Sequence, residues 1–289
     1  QIKCNYIISG IGALHKPKFP EIEGMNDFKG NQIHTAQWDT SFDWSDKRVG
    51  VIGTGCSAIQ TVPKMSADCK ELYVFQRTPT WIVPMFNATH PFIFQKVLQQ
   101  FPILMKLCRF YIFFRQEAIF KLGFNKDSTM NQKLKETFEI IMKKQINDPI
   151  LQKKLVPDYQ IGCRRTAISN TYLRSFNNTK KVHLVTDNIT KMTEKSIVVE
   201  SGKDSSSEEP TTTLDGNREI HLDAIIYATG FDVLNSLKNI DIRRTSDGQS
   251  IGDVWEDTPN AYLGIMVPQF PNFFMLMGPS TVLGMYVTF

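Results

Sequence analysis

Residues 53–58 read Gly53-Thr54-Gly55-Cys56-Ser57-Ala58, directly after the short apolar run of Val49, Val51 and Ile52. A strand over residues 47–53, a glycine turn and a helix over 57–65 predict one βαβ unit, and with it a parallel, doubly wound α/β fold. Each small residue has a physical task. Gly53 allows a tight turn, Gly55 lets a pyrophosphate approach the backbone, and Ala58 permits close helix–strand packing. The helix N-terminus, with Thr54, Cys56 and Ser57 around it, offers N–H groups and partial positive charge to a phosphate. The same letters also suit an ordinary glycine-rich turn; a strand before them and a helix after them favour dinucleotide binding.

Residues 71–76 predict the next parallel strand, and Arg77-Thr78 follow it. This strand end, about 20 residues beyond the loop, carries an acidic residue in binders of NAD, where it holds the ribose hydroxyls. A guanidinium instead suits a 2′-phosphate, through charge-assisted hydrogen bonds of about 1.5–3 kcal/mol each. NADP(H) over NAD(H) follows. The plainer reading is a surface arginine at a strand end.

Composition narrows the class. The chain has 289 residues, of which 42% are hydrophobic and 21% charged, with a net charge of +4. That suits a packed globular protein. The Lys and Arg residues form no tract interleaved with aromatics, which argues against a nucleic-acid partner. Cys4, Cys56, Cys69, Cys108 and Cys163 make no CxxC pair and no metal-ligand spacing. They read as reduced thiols in a cytoplasmic protein without a metal centre or a redox dithiol. The chain opens without Met inside an apolar strand pattern and stops at Val287-Thr288-Phe289, so it reads as an internal piece of a longer protein.

Along the chain, residues 3–10 predict a buried strand and residues 34–44 a polar, aromatic linker. Pro63 is expected to shorten or interrupt the helix after the glycine loop. Residues 91–155 predict a helical insertion. Its first part is apolar, but Gln95, Lys96, Lys106, Arg109 and Arg115 break it too often for a membrane span. An apolar stripe of this kind is expected to be core, with membrane association the lesser reading. Residues 157–165 read as a loop and 166–176 as a helix. Strands are expected at 182–185, 196–200, 221–229 and 272–277, with a polar surface loop at 203–217.

A third string carries the family resemblance. Phe28, Gly30, His34, Trp38 and Asp39 stand in the pattern Phe-x-Gly-x-x-x-His-x-x-x-Trp-Asp. On its residues alone His34 reads as a satisfied structural histidine, because no partner serine or cysteine is identifiable. Together with the glycine loop, Gln76-Arg77-Thr78-Pro79-Thr80-Trp81 and the loop Pro157 to Arg165, it resembles the Baeyer–Villiger type of flavin-dependent monooxygenase, near the 4-hydroxyacetophenone monooxygenase-like branch. The resemblance implies Rossmann-like FAD and NADP domains: residues 1–40 as a remnant of the FAD domain and linker, 41–230 as the NADP domain, and 231–289 as a return to the FAD domain. It implies that NADPH reduces FAD, that a C4a-peroxyflavin forms with O2, and that one oxygen atom enters a small-molecule ketone to give an ester or lactone.

The resemblance also assigns residues. Arg165 matches the active-site arginine beside the flavin, and Arg164 a basic neighbour tied to NADPH; on sequence alone the pair is as readily solvated charge. Thr229 and Gly230 match a crossing between domains, Gly278 a late FAD-contacting turn, and the fingerprint from Phe28 to Asp39 the coupling between domains. A fixed cation in a dry pocket would stabilise the anionic oxidant, an effect typically of about 3–4 kcal/mol. Two departures stand out. Val282 to Tyr286 replace a polar continuation around a His-Asn pair, and no early glycine-rich FAD unit is present, so this chain alone is expected to bind FAD poorly or not at all. Two other readings stay open: N- or S-oxygenation, and a catalytically inactive NADP(H)-binding remnant.

Overall fold

Short apolar runs between polar turns become one parallel sheet here because its central strands are buried on both faces. The computed structural model describes residues 2–85, 89–123, 128–200, 217–233, 237, 240–256, 258–279 and 281. The chain begins with β1 (Ile7–Ser9), β2 (Asn31–His34), β3 (Arg48–Ile52), α1 (Cys56–Asp68), β4 (Glu71–Phe75) and β5 (Ile82–Val83). The insertion supplies α2 (Phe92–Gln100), α3 (Pro102–Gly123), α4 (Thr129–Lys143) and α5 (Pro149–Leu155). After it come β6 (Ala167–Ile168), α6 (Tyr172–Ser175), β7 (Val182–Val185), β8 (Ile189–Met192), β9 (Ser196–Glu200), β10 (Asn217–His221), β11 (Ala224–Tyr227), α7 (Ile251–Trp255) and β12 (Phe273–Met275).

The central sheet runs β2-β11-β3-β4-β7, and every neighbouring pair is parallel. Its strand order reverses direction at β3, which makes the carboxyl end of β3 the switch point where such sheets bind ligands. Alternate residues serve two cores. Val49, Val51, Leu72, Val74 and Ile226 join Ala58, Ile59, Val62 and Met65 of α1. Ile52, Tyr73, Phe75, Ile225 and Tyr227 join Ile197, Val199 and Ile220 of the antiparallel sheet β10-β9-β8. Each fully buried aliphatic side chain contributes about 1.5–3 kcal/mol.

Several expectations change. The helix α1 runs straight through Pro63. Proline removes one backbone bond, but the buried face of Ala58, Ile59, Val62 and Met65 holds both halves on the sheet. Residues 166–176 split: β6 pairs with β5, then Ser169 Oγ accepts the N–H groups of Thr171 and Tyr172 and turns the chain into the short α6. The strand expected at 221–229 is two, because Asp223 exchanges its backbone and carboxylate with Arg48 between β10 and β11. The strand β8 was not anticipated. His34 closes β2 inside the sheet, so the linker begins one residue later. The strand β1 is three residues long and pairs with β12, leaving Ile7 and Ile8 53% and 67% exposed in place of the expected burial. The insertion divides as well. Met142, Ile146 and Leu155 join the first core, whereas α2 and α3 stay outside it. Most of the surface loop expected at 203–217, and the stretch 282–286, lie outside the described residues.

Candidate nucleotide-binding site

The glycine loop leaves β3 at the switch point. Gly53 has φ +111°, and a Cβ there would lie 2.5 Å from the Ala228 carbonyl oxygen, so only glycine fits. Its N–H donates to the Phe75 carbonyl at 3.2 Å, tying the loop to the end of β4. Gly55 is the N-cap of α1 in extended conformation, and no side chain caps the helix. A Cβ on Gly55 would meet no heavy atom within 4 Å. The space over the first turn is therefore open to a ligand, and the helix N-terminus presents N–H groups to it. Ala58 is fully buried against the sheet, and Cys56 and Ser57 are half-buried.

The turn after β4 is fastened to this loop twice. Thr54 Oγ1 donates to the Thr78 carbonyl and Thr80 Oγ1 to the Thr54 carbonyl, both at 2.9 Å. Gln76 is buried and donates to the Lys154 carbonyl at 2.7 Å, so the next side chain, Arg77, faces outward. Arg77 is exposed, and among the described residues nothing hydrogen-bonds or pairs with its guanidinium. An open cradle at Gly55 and an uncommitted cation on the adjacent strand end fit NADP(H).

The arginine loop joins the same wall. Trp81 Nε1 donates to the Tyr159 carbonyl at 3.2 Å, and Tyr159 OH donates to the Pro79 carbonyl at 2.9 Å. The Arg164 guanidinium stands 5.4 Å from the Tyr159 ring centre. Burial holds the Tyr159 phenol above the ordinary tyrosine range, against the pull of Arg164. Thus Arg164 reaches the Arg77 turn through one ring. Arg165 is exposed and makes no hydrogen bond or ion pair among the described residues.

The fingerprint divides into separate tasks. Phe28 is buried in the second core, and a Cβ on Gly30 would strike the Asp223 carbonyl oxygen at 2.4 Å. His34 is 1% exposed. Its Nε2 donates to the Gly230 carbonyl at 3.0 Å, and its Nδ1 accepts from the Ala36 N–H at 3.1 Å. Those two bonds select the neutral ring. Burial pushes its pKa down, against a smaller upward effect of the Gly230 bond. Phe19 and Phe231 pack edge-on at 5.3 and 5.8 Å. The same crossing receives residues 16–18: Lys18 N–H also donates to Gly230, Thr229 Oγ1 donates to the Lys18 carbonyl at 2.6 Å, and Lys16 pairs with Asp232 at 3.2 Å. Trp38, 39% exposed, stacks on Trp44 at 5.3 Å, and Asp39 accepts from the Ser41 N–H and hydroxyl. The sequence gives no sign that residues 16–19 join this crossing, since Thr229 and Lys18 stand 211 positions apart.

Gly278 lies elsewhere. Its N–H donates to the Gly264 carbonyl at 3.0 Å, and a Cβ on it would lie 2.4 Å from that oxygen. No described hydrogen bond connects it to the Gly53 loop. Among the described residues β1 leads into an irregular segment, so a second strand–glycine–helix cradle for FAD adenosine is lacking, and the residues present do not fit a whole FAD. Among them, too, no three His, Cys, Asp or Glu side chains cluster as for a metal. A cleft of about 380 Å³, lined by Lys29, Gly30, Arg48, Glu194, Lys195 and Asp223 among others, opens at the opposite end of the sheet, where β3 begins. It is not the nucleotide site.

The family described as flavin-binding monooxygenase-like matches residues 6–239. A Baeyer-Villiger monooxygenase of Pseudomonas aeruginosa is 36% identical over 286 residues, covering 97% of this chain and 50% of its own length. OTEMO in complex with FAD and NADP superposes with a TM-score of 0.74 at 30% identity, over 96% of this chain and 56% of that one. Cyclohexanone monooxygenase from Rhodococcus, bound to NADP+, gives 0.74 at 26% identity, over 95% and 55%. The chain spans about half the length of the curated relatives it matches. With its parallel sheet, its glycine cradle and a match across most of its length, this chain belongs to the flavin-binding monooxygenase-like family.

Proposed function

We propose that this chain carries the NADP(H)-binding part of a flavin-dependent monooxygenase that inserts one oxygen atom from O2 into a ketone, giving an ester or lactone. One observation carries the proposal: the Thr54–Thr78 and Thr80–Thr54 bonds set the open Gly55 cradle beside the uncommitted Arg77 guanidinium. In this reading the backbone of Gly53 to Ala58 holds the pyrophosphate, Arg77 and Thr78 hold the 2′-phosphate, and Arg164 adds positive charge to the same wall. His34, with Thr229 and Gly230, holds the crossing between the NADP unit and the segments before and after it. The NADP unit then takes in β2 as well as residues 41–230. Phe28 and Gly30 support that crossing from below, and Trp38 and Asp39 shape the chain beyond it. The flavin, when bound, supplies the reaction with oxygen. Arg165 supplies a fixed cation for the negative charge that the oxidation develops, and Gly278 belongs to the flavin side. The relatives' names and the FAD- and NADP-bound neighbours support this reading. Five free thiols suit a cytoplasmic setting.

Nucleotide titration tests it. The wild-type chain binds NADPH far more tightly than NADH, and Arg77→Ala weakens NADPH by about tenfold or more, the size of one lost charge-assisted bond, while NADH binding barely changes. Equal losses for the two nucleotides overturn the phosphate assignment. A second reading, an NADP(H)-binding remnant without oxygenation, draws on the lack of a second cradle among the described residues. FAD titration separates the two: retained flavin absorbance favours oxygenation, and NADPH binding without FAD favours the remnant for this chain.

A further inference from the structure

The helix pair α2–α3 has no counterpart in the nucleotide reading. Along residues 91–119 every residue is exposed except Leu98 and Leu104, which are half-buried. The exposed side chains include Phe92, Phe101, Phe110, Tyr111, Phe113 and Phe114. Apolar surface on this scale marks an interaction site in a folded protein. The charges on the pair are one-sided. Lys96, Lys106, Arg109, Arg115 and Lys121 outnumber the single carboxylate of the pair, Glu117. Lys96 lies over the Phe92 ring at 4.8 Å, and none of the five forms an ion pair among the described residues. A second copy of the chain would bring the same positive charge against them. An anionic surface would neutralise it.

Geometry narrows the occupant further. No single described helix is long and apolar enough to cross a membrane, and α2 and α3 pass that test only as a pair bent by 108°. Exposed aromatic and aliphatic side chains beside lysine and arginine, on two helices that meet at a sharp bend, fit the boundary between lipid headgroups and acyl chains. We infer that α2–α3 is a monotopic docking surface for an anionic lipid bilayer, with Phe110 and Phe113 entering the acyl boundary and Lys106 and Arg109, on the same face of α3, reaching out to headgroup phosphates and carboxylates.

Vesicle co-sedimentation of the 289-residue chain tests this. Binding to phosphatidylcholine vesicles holding about one-third phosphatidylserine exceeds binding to phosphatidylcholine alone by about tenfold or more, and high salt removes most of the gain. Lys106→Glu with Arg109→Glu abolishes the preference for phosphatidylserine. Phe110→Asp with Phe113→Asp lowers binding to both vesicles at least about tenfold, while NADPH binding, which reports the fold, stays at the wild-type value. A Phe110→Trp variant reports the same event spectroscopically, its emission shifting to the blue with phosphatidylserine vesicles. No vesicle binding overturns the inference, as does equal binding to neutral and anionic vesicles. So does a stable dimer that Phe110→Asp dissociates, because a second copy would then own the surface.

Discussion

The two glycines of the loop separate stability from binding at single-residue resolution. Gly53→Ala must hold φ +111° and put a methyl group 2.5 Å from the Ala228 oxygen. It is expected to cost about 1–3 kcal/mol, read as a lower midpoint in urea. Gly55→Ala meets only open space, so stability stays within about 0.5 kcal/mol, yet NADPH affinity falls several-fold because the methyl occupies the ligand's approach. His34 makes a pH prediction. Its folded pKa lies below the unfolded value of about 6.5, so the unfolded chain binds the proton more readily. Its contribution is complete above that value and is lost as the pH falls through it toward the folded pKa. Denaturation followed between pH 7 and pH 5 shows a stability decline that His34→Gln lessens. The tight turn at Gly53 and the exposed place of Arg77 at the end of β4 were legible in the sequence because both depend on neighbours within one βαβ unit. That His34 is a satisfied structural histidine was legible too, but its partners were not, because Phe19, Lys18 and Gly230 reach it only after folding.

At the level of elements, strands buried on both faces announced themselves as apolar runs, and β3, β4, β7 and β9 fall where those runs stand. Boundaries fixed by single side chains did not: Ser169 ends β6 and Asp223 divides β10 from β11 through hydrogen bonds that no periodicity records. Pro63 shows burial overriding local propensity, since α1 continues for five residues beyond it. Pro63→Ala restores a donor in mid-helix and is expected to raise stability by about 1–3 kcal/mol in chemical denaturation, with NADPH binding unchanged. An unchanged or lower midpoint would show that the ring's packing outweighs the missing bond. The apolar run of α2–α3 was legible as helix, but its neighbours were not, because hydrophobicity states a need for cover without naming it.

Over the whole molecule, two cores grip the central sheet from either face, while a third gathers Leu237, Ile251, Trp255, Phe270, Phe273 and Met275 around β12. Amide hydrogen exchange is expected to follow that division. Amides of β3 and β4, buried between two cores, exchange slowest, and those of β1, with two exposed isoleucines, fastest. Similar rates for β1 and β3 would refute it. Leu72→Ala, at the centre of the first core, is expected to cost about 2–5 kcal/mol in equilibrium unfolding.

The Gly230 carbonyl accepts from Lys18 and from the His34 imidazole at once, both at 3.0 Å. One oxygen serving two donors leaves no slack between them: a peptide rotation large enough to free the first frees the second. A swivel at this point would then snap between two positions with nothing stable in between, and relaxation-dispersion measurements on the amides of Lys18 and Ala36 would fit a single shared rate.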